Sequence, residues 1–253
     1  MLHYRLQGET AKPPVVLLHG LFGDLDNLGS LARTLASQFK VIQVDLPNHG
    51  ASPHSTAMDW GTMCQQLRTL IDHQGWEKIS LVGHSLGGKL AMQFALRYPQ
   101  QVTHLVVVDI APITYAPRHE RVISALQAVA EHPKASRKEA DGIMTPWLAD
   151  AGMRQFLLKS FTPGQGWRFN LPALVSNYPT LMAWEELPGR FDGATLFIKG
   201  ETSDYLVPEY QPQTLELFPG AKARIIPDAG HWLHAEKPLL FNKLVVDFLS
   251  TSR

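Results

Sequence analysis

A chain of 253 residues with 45% hydrophobic content is long enough to bury one large core. Its 23 basic and 23 acidic side chains cancel, which removes the electrostatic footprint carried by nucleic-acid and membrane-surface binders. The single cysteine, Cys64, excludes an internal disulfide and a thiolate-rich metal site. No apolar run approaches the roughly 18 residues of a membrane span, and the opening MLHYRLQGET lacks a signal peptide's apolar stretch, so a cytoplasmic protein is expected.

Short β-rich runs alternate with helical patterns through the first half. Strands are predicted at Leu2–Leu6, Val15–Leu18, Val41–Val44, Ile79–Val82 and Leu105–Val108, with helices at Leu28–Ser37, Trp60–His73 and Lys89–Tyr98. That alternation predicts an α/β fold with a mostly parallel sheet flanked by helices. From Pro112 to about Pro188 the strand rhythm stops, and HERVISALQAVAEH, MRQFLLKSF and LPALVSNYPTLMAWEE read as helical and aromatic-rich. Two further strands, Thr195–Ile198 and Ala223–Ile226, and a closing helix, Leu239–Leu249, follow. Residues 1–111 and 189–253 are therefore expected to form one core, with 112–188 inserted as a helical lid where ligands meet the carboxyl ends of the strands.

Gly83-His84-Ser85-Leu86-Gly87 lies between a predicted strand and a predicted helix. About 0.1 G-x-S-x-G matches arise by chance in a chain of this size, so the bare pattern is weak. Its strand-to-helix setting is what makes it a nucleophile elbow. A serine hydroxyl needs a base to take its proton. Among 11 histidines, His231 follows a strand and Gly230 in IIPDAGHWLHAEKP, late in the chain as this fold's order requires. His234 is its competitor, and His84 reads as structural. With a neutral imidazole as base, rates should fall on acidification near the reference histidine pKa of about 6.5.

An oxyanion needs two backbone donors. One is the amide of Leu86. The other is expected from VVLLHGLFGDLDNL, at Leu21, with Phe22 as the fallback and His19 as a support for the loop. The loop VDLPNHGAS holds Asp45, Asn48 and His49, which read as a hydrogen-bonded turn because no further ligand-spaced residue joins them. Lid aromatics, among them Tyr115, Trp147, Phe161, Trp167, Phe169, Tyr178 and Trp184, are candidates either to line an acyl pocket or to pack the lid. Arg118 and Arg121 lie at the lid entrance, where they would meet a phosphate or carboxylate if they are not simply solvated.

HGLFGDLDNLGSLA, DLPNHGAS, GHSLGGK, VVVDIAP, FLLKSF, WRFN and GHWLHAEKP stand in the order found in the α/β-hydrolase superfamily. The chain resembles that superfamily over nearly its whole length, and more narrowly its YbfF-type esterases. The resemblance implies Ser85 as nucleophile, His231 as base, Leu21 and Leu86 as oxyanion donors, and a lid over a pocket without cofactor or metal. It implies activity toward small-molecule short acyl esters, with acyl-CoA thioesters as a further candidate. Phe22, Arg118, Trp147 and Trp184 are the expected substrate-binding residues. The chain departs from the superfamily after the late strand, where Gly200 is followed by Glu201-Thr202-Ser203 and many hydrolases place the triad acid at the third residue.

Two aspartates compete for that acid. Asp204 follows the late strand but stands four residues after Gly200. Asp109, in LVVVDIAP, ends the strand after the nucleophile helix; some superfamily members draw their acid from there, and the YbfF-like motif points the same way. Asp109 is the favoured residue. Carbon–carbon bond hydrolysis by the same triad, and a non-catalytic binding protein of this fold, are the alternatives to ester hydrolysis. The sequence leaves the oligomeric state open.

Overall fold

The chain opens with β1 (Tyr4–Gln7) and β2 (Pro14–Leu18), then α1 (Gly29–Leu35), β3 (Lys40–Val44), α2 (Trp60–His73), β4 (Ile79–His84), α3 (Leu86–Arg97) and β5 (Val102–Val108). Five helices follow: α4 (Glu120–Ala130), α5 (Arg137–Met144), α6 (Ala151–Leu158), α7 (Leu171–Ser176) and α8 (Tyr178–Met182). A short hairpin of β6 (Phe161–Thr162) and β7 (Gly166–Trp167) interrupts them between α6 and α7. The chain closes with β8 (Ala194–Gly200), α9 (Gln211–Leu217), β9 (Ala221–Ile226), α10 (Leu233–Glu236) and α11 (Pro238–Leu249). These elements come from a computed structural model that describes residues 1–251.

Seven strands form one sheet in the order β1-β3-β2-β4-β5-β8-β9, all parallel except β1, which runs antiparallel to β3. This is the α/β architecture expected from the alternation of strand and helix patterns. The central strands read as unbroken apolar runs because helices bury both of their faces. Alternate side chains then divide between two cores. Val16, Leu18, Leu81, Leu105 and Val107 join the core under α2 and α3. Val15, Leu17, Val82, Val106 and Val108 join the core under α1 and α11.

Helix patterns follow the same logic. In α11, Phe241, Val245 and Leu249 recur every four residues and are buried, which gives the stripe that docks on the sheet. In α2, Asp59 caps the first turn by accepting from the Thr62 amide, and Trp60, Met63, Cys64, Leu67, Leu70 and Ile71 face inward. Helix α3 is different. Every residue from Leu86 to Ala95 is buried, so this helix lies inside the molecule and its N-terminus is held firmly at the end of β4.

The hairpin β6–β7 is a feature the helical reading of 112–188 did not contain. Its loop runs through Gly164 and Gly166, both at positive φ (83° and 84°), a conformation that glycine adopts without steric cost.

Candidate active site

Ser85 sits between the last residue of β4 and the first of α3, with φ 52° and ψ −115°. Such a backbone conformation costs a non-glycine residue on the order of 1–3 kcal/mol and persists only where the surroundings hold it. They do so through three hydrogen bonds: Ser85 N to Val108 O (3.0 Å), Lys89 N to Ser85 O (3.0 Å) and Gly87 N to His19 O (3.1 Å). The tight turn also needs its neighbouring glycines. A Cβ on Gly83 would lie 2.2 Å from the Gly87 carbonyl oxygen, and one on Gly87 would lie 2.4 Å from the Leu18 carbonyl oxygen. Bulk is thus stripped from both sides of the serine, and its hydroxyl projects from the top of the sheet.

His231, on the loop between β9 and α10, brings Nε2 to 3.0 Å from Ser85 Oγ, which donates to it. Its Nδ1 donates to Asp109 Oδ2 at 2.7 Å. Asp109 follows β5 at φ 53° and is fully buried. It also accepts from the Ser203 hydroxyl and, at 3.1 Å, from the Gly200 amide. Of the two competing aspartates, the structure therefore brings Asp109 to the imidazole. Asp204 points to solvent with 76% of its side chain exposed, and pairs with Arg118 at 2.5 Å. Ser203, three residues after Gly200 where the resemblance leads one to expect the acid, supplies a donor to the acid instead.

Burial sets the protonation of this group. It pushes His231 down to about 3, with the Arg118 guanidinium adding to the effect, so the resting ring is neutral and able to accept a proton. It pushes Asp109 up to about 6, against the lowering effect of the Ser203 and Gly200 donors.

Two further groups hold the imidazole. His84 Nε2 donates to the His231 carbonyl at 2.8 Å, and burial pushes His84 down to about 3. Tyr205 stacks on the His231 ring at 3.8 Å with an interplanar angle of 18°, and the Arg118 guanidinium lies 3.8 Å from the Tyr205 ring centroid. The Tyr205 hydroxyl is tied to His119 Nε2 at 2.9 Å. Sequence reasoning missed Tyr205, which only its nearness to Asp204 in KGETSDYLVP hinted at, and singled out the position of Ser203 without giving that residue a role. The competitor His234 is buried with its ring 4.4 Å from His84, and its Nδ1 has no hydrogen-bond partner among the described residues.

The two expected oxyanion donors, Leu21 and Leu86, both line a small space beside Ser85. Among the described residues, neither Leu21 N nor Leu86 N donates to any partner. The fallback, Phe22, is committed elsewhere: its amide donates to His49 Nε2 at 3.1 Å. His19 Nε2 accepts from Leu46 N at 3.0 Å while its Nδ1 donates to Gly20 O at 2.8 Å. Burial pushes His19 down to about 4 and His49 to about 3, so both act as neutral struts for this loop. Asp45 likewise accepts from the Leu25 and Ala51 amides. VDLPNHGAS is a hydrogen-bonded turn, and no cluster of three or more His, Cys, Asp or Glu among the described residues is placed to hold a metal ion.

A cavity of about 290 Å³ opens above Ser85 and His231. Phe22 and Arg118 line it, together with Met153, Phe156, Tyr205 and Trp232. Trp147 and Trp184 do not, which corrects the expectation for both. Trp147 lies beyond α5 with 41% of its surface exposed, and its carbonyl accepts from Arg121 Nε. Trp184 is 7% exposed and packs into the core beside α8, its amide donating to Thr114 Oγ1. Arg121, spent on that carbonyl, is also absent from the cavity wall.

Comparison with known proteins agrees with this fold. The family model described as the alpha/beta hydrolase fold matches residues 13–238. Esterase YbfF of Escherichia coli is 44% identical over 92% of this chain and 91% of its own length. An sn-1-specific diacylglycerol lipase, ABHD11 of Mus musculus, is 38% identical over 97% of this chain and 83% of its own. A solved structure of a marine microorganism esterase superposes with a TM-score of 0.93 at 35% identity, covering 98% of both chains.

Proposed function

The chain belongs to the α/β-hydrolase fold family and is a carboxylic-ester hydrolase, and we propose that it works through an acyl-enzyme on Ser85. As Ser85 Oγ attacks the ester carbonyl carbon, its proton passes to His231 Nε2. The carbonyl electron pair moves onto oxygen, where the free amides of Leu21 and Leu86 receive it; one such donor is worth about 10²–10³ in rate. Collapse of the tetrahedral species breaks the bond to the alcohol oxygen, and His231 returns its proton to that leaving group. Water then enters, gives a proton to His231 and attacks the acyl carbon. The second collapse releases the carboxylic acid and restores Ser85. Asp109 keeps the Nδ1–H tautomer in place and stabilises the imidazolium formed in each half.

The observation that carries this reading is the unbroken chain of hydrogen bonds Ser85–His231–Asp109, at 3.0 and 2.7 Å, opening on a cavity, with the unpartnered amides of Leu21 and Leu86 bordering the smaller space beside Ser85. The Asp109–His231 distance also favours Asp109 over Asp204 as the acid. Residues 112–188 act as a lid on a core formed by 1–111 and 189–253, since Arg118, Met153 and Phe156 roof the cavity. No described helix is long and apolar enough to cross a membrane. The balanced charge and buried free Cys64 favour a cytoplasmic enzyme acting on small molecules rather than nucleic acid or membrane. Replacing Ser85 by alanine is the test. Ester hydrolysis should fall by about 10⁴–10⁶ with folding intact, and residual turnover within tenfold of wild type would remove Ser85 from the mechanism.

A further inference from the structure

Ser85 faces two chambers, and they are of very different size. Besides the cavity of about 290 Å³, a second space of about 20 Å³ opens beside the nucleophile. Both are lined by Leu21, Ser85, His119 and Tyr205. Only the larger has His231 and Trp232 in its wall, and only the smaller has Leu86, Ile110 and Leu181.

That division assigns the two halves of an ester. The departing alcohol oxygen must take its proton from His231, so the alcohol lies in the chamber that His231 lines. The carbonyl oxygen is held between Leu21 and Leu86. The remaining substituent of the carbonyl carbon is the acyl chain, which is left the chamber bounded by Leu86 and lacking His231. A water-sized group needs roughly 10–15 Å³ measured in the same way. The smaller chamber therefore has room for a methyl group and little more.

Its far wall is pinned in place. Lys89, one helical turn beyond Ser85 on α3, is 2% exposed, and its Nζ donates to the carbonyls of Met182 (2.6 Å) and Ala183 (3.0 Å). Nζ thereby satisfies carbonyls at the C-terminal end of α8 and ties that end to α3. Leu181 and Met182 are held against the chamber as a consequence, and Tyr115 closes its side with its hydroxyl bonded to the Ala111 amide and the Tyr205 carbonyl.

We infer that the smaller chamber is the acyl subsite and the larger the alcohol subsite, so the substrates are acetyl-sized esters of bulky alcohols. Leu181 and the Lys89 clip that holds its helix determine acyl length. The inference rests on Ser85 as nucleophile, and the test separates the two.

Wild-type kcat/KM is measured on p-nitrophenyl acetate, butyrate, hexanoate and octanoate. It is also measured on ethyl, phenethyl and naphthylethyl acetate, whose alcohols are similarly basic but grow in bulk. Surplus methylenes in a closed pocket cost about tenfold or more. The acyl series should therefore fall at least about tenfold from acetate to hexanoate, while the bulky acetates are hydrolysed as well as ethyl acetate or better. Leu181→Ala and Lys89→Met should each raise the hexanoate-to-acetate ratio by about tenfold. Octanoate turned over as fast as acetate by wild type would overturn the assignment, whether or not either variant folds. So would a loss of activity with alcohol bulk. Ser85→Ala serves as the control: activity that survives it indicts the nucleophile, whereas Ser85-dependent activity with a long-chain optimum indicts only the chambers.

Discussion

Replacing Asp109 by asparagine should lower kcat by about 10⁴ while the protein stays folded. Asparagine tolerates the left-handed backbone that Asp109 adopts at φ 53°, so the turn survives. Its chemistry does not fit. The two oxygens of Asp109 accept from three donors, His231 Nδ1, the Ser203 hydroxyl and the Gly200 amide. An amide group has one oxygen, so its NH₂ must face at least one of those donors in a fully buried position. A mispaired buried donor costs about 1–3 kcal/mol. The missing negative charge also withdraws about 4 kcal/mol from the imidazolium, for charges roughly 4 Å apart at an effective dielectric near 20. With 1.36 kcal/mol to each tenfold in rate, the two effects reach about 10⁴, the loss expected when a triad acid becomes an amide. Asp204→Asn, at an exposed carboxylate paired with Arg118, should lose less than about tenfold. Initial rates on p-nitrophenyl acetate, with circular dichroism to establish folding, decide it. The reverse ranking would transfer the role to Asp204 and leave Asp109 as a structural residue.

Acidification should abolish activity at a pH below the 6.5 expected of an unperturbed histidine. The active form has His231 neutral and Asp109 charged; burial holds His231 low and raises Asp109 only to about 6, and one proton on either group breaks the chain. The acid limb of kcat/KM on a neutral ester should thus lie no higher than about pH 6, and a midpoint at or above 6.5 would refute this. His234→Ala should cost less than about tenfold in kcat, since that ring reaches His84 and not Ser85; a loss equal to that of His231→Ala would mean the wrong histidine has been assigned.

The fold was legible where burial is two-sided. VVLL in β2 and LVVV in β5 have no polar interruption because helices cover both faces, and both strands contain those runs, though β5 begins at Val102 rather than Leu105. The edges were less so. β1 spans Tyr4–Gln7 rather than Leu2–Leu6, and β9 begins at Ala221 rather than Ala223, because an edge strand half in water mixes polar and apolar residues without a boundary signal. The hairpin at Phe161–Trp167 is too short for periodicity to register. In the site, Ser85, His231 and the Leu21 loop carry local glycine and strand-end signals that one sequence shows. Tyr205 carries none, and the strand-end position of Ser203 does not reveal that it donates to Asp109, because their roles arise from β8 lying beside β5. Trp147 and Trp184 failed as pocket residues for the same reason: which way a side chain in a helical insertion faces is decided by packing, not by its identity.

The most direct test of the account is the site of covalent attachment. The protein is incubated with a fluorophosphonate, digested with trypsin and examined by mass spectrometry. The adduct should fall on the peptide Ile79–Lys89, at Ser85, one per chain, and should vanish in Ser85→Ala. Labelling at another serine, or stoichiometric labelling that survives the substitution, would contradict it.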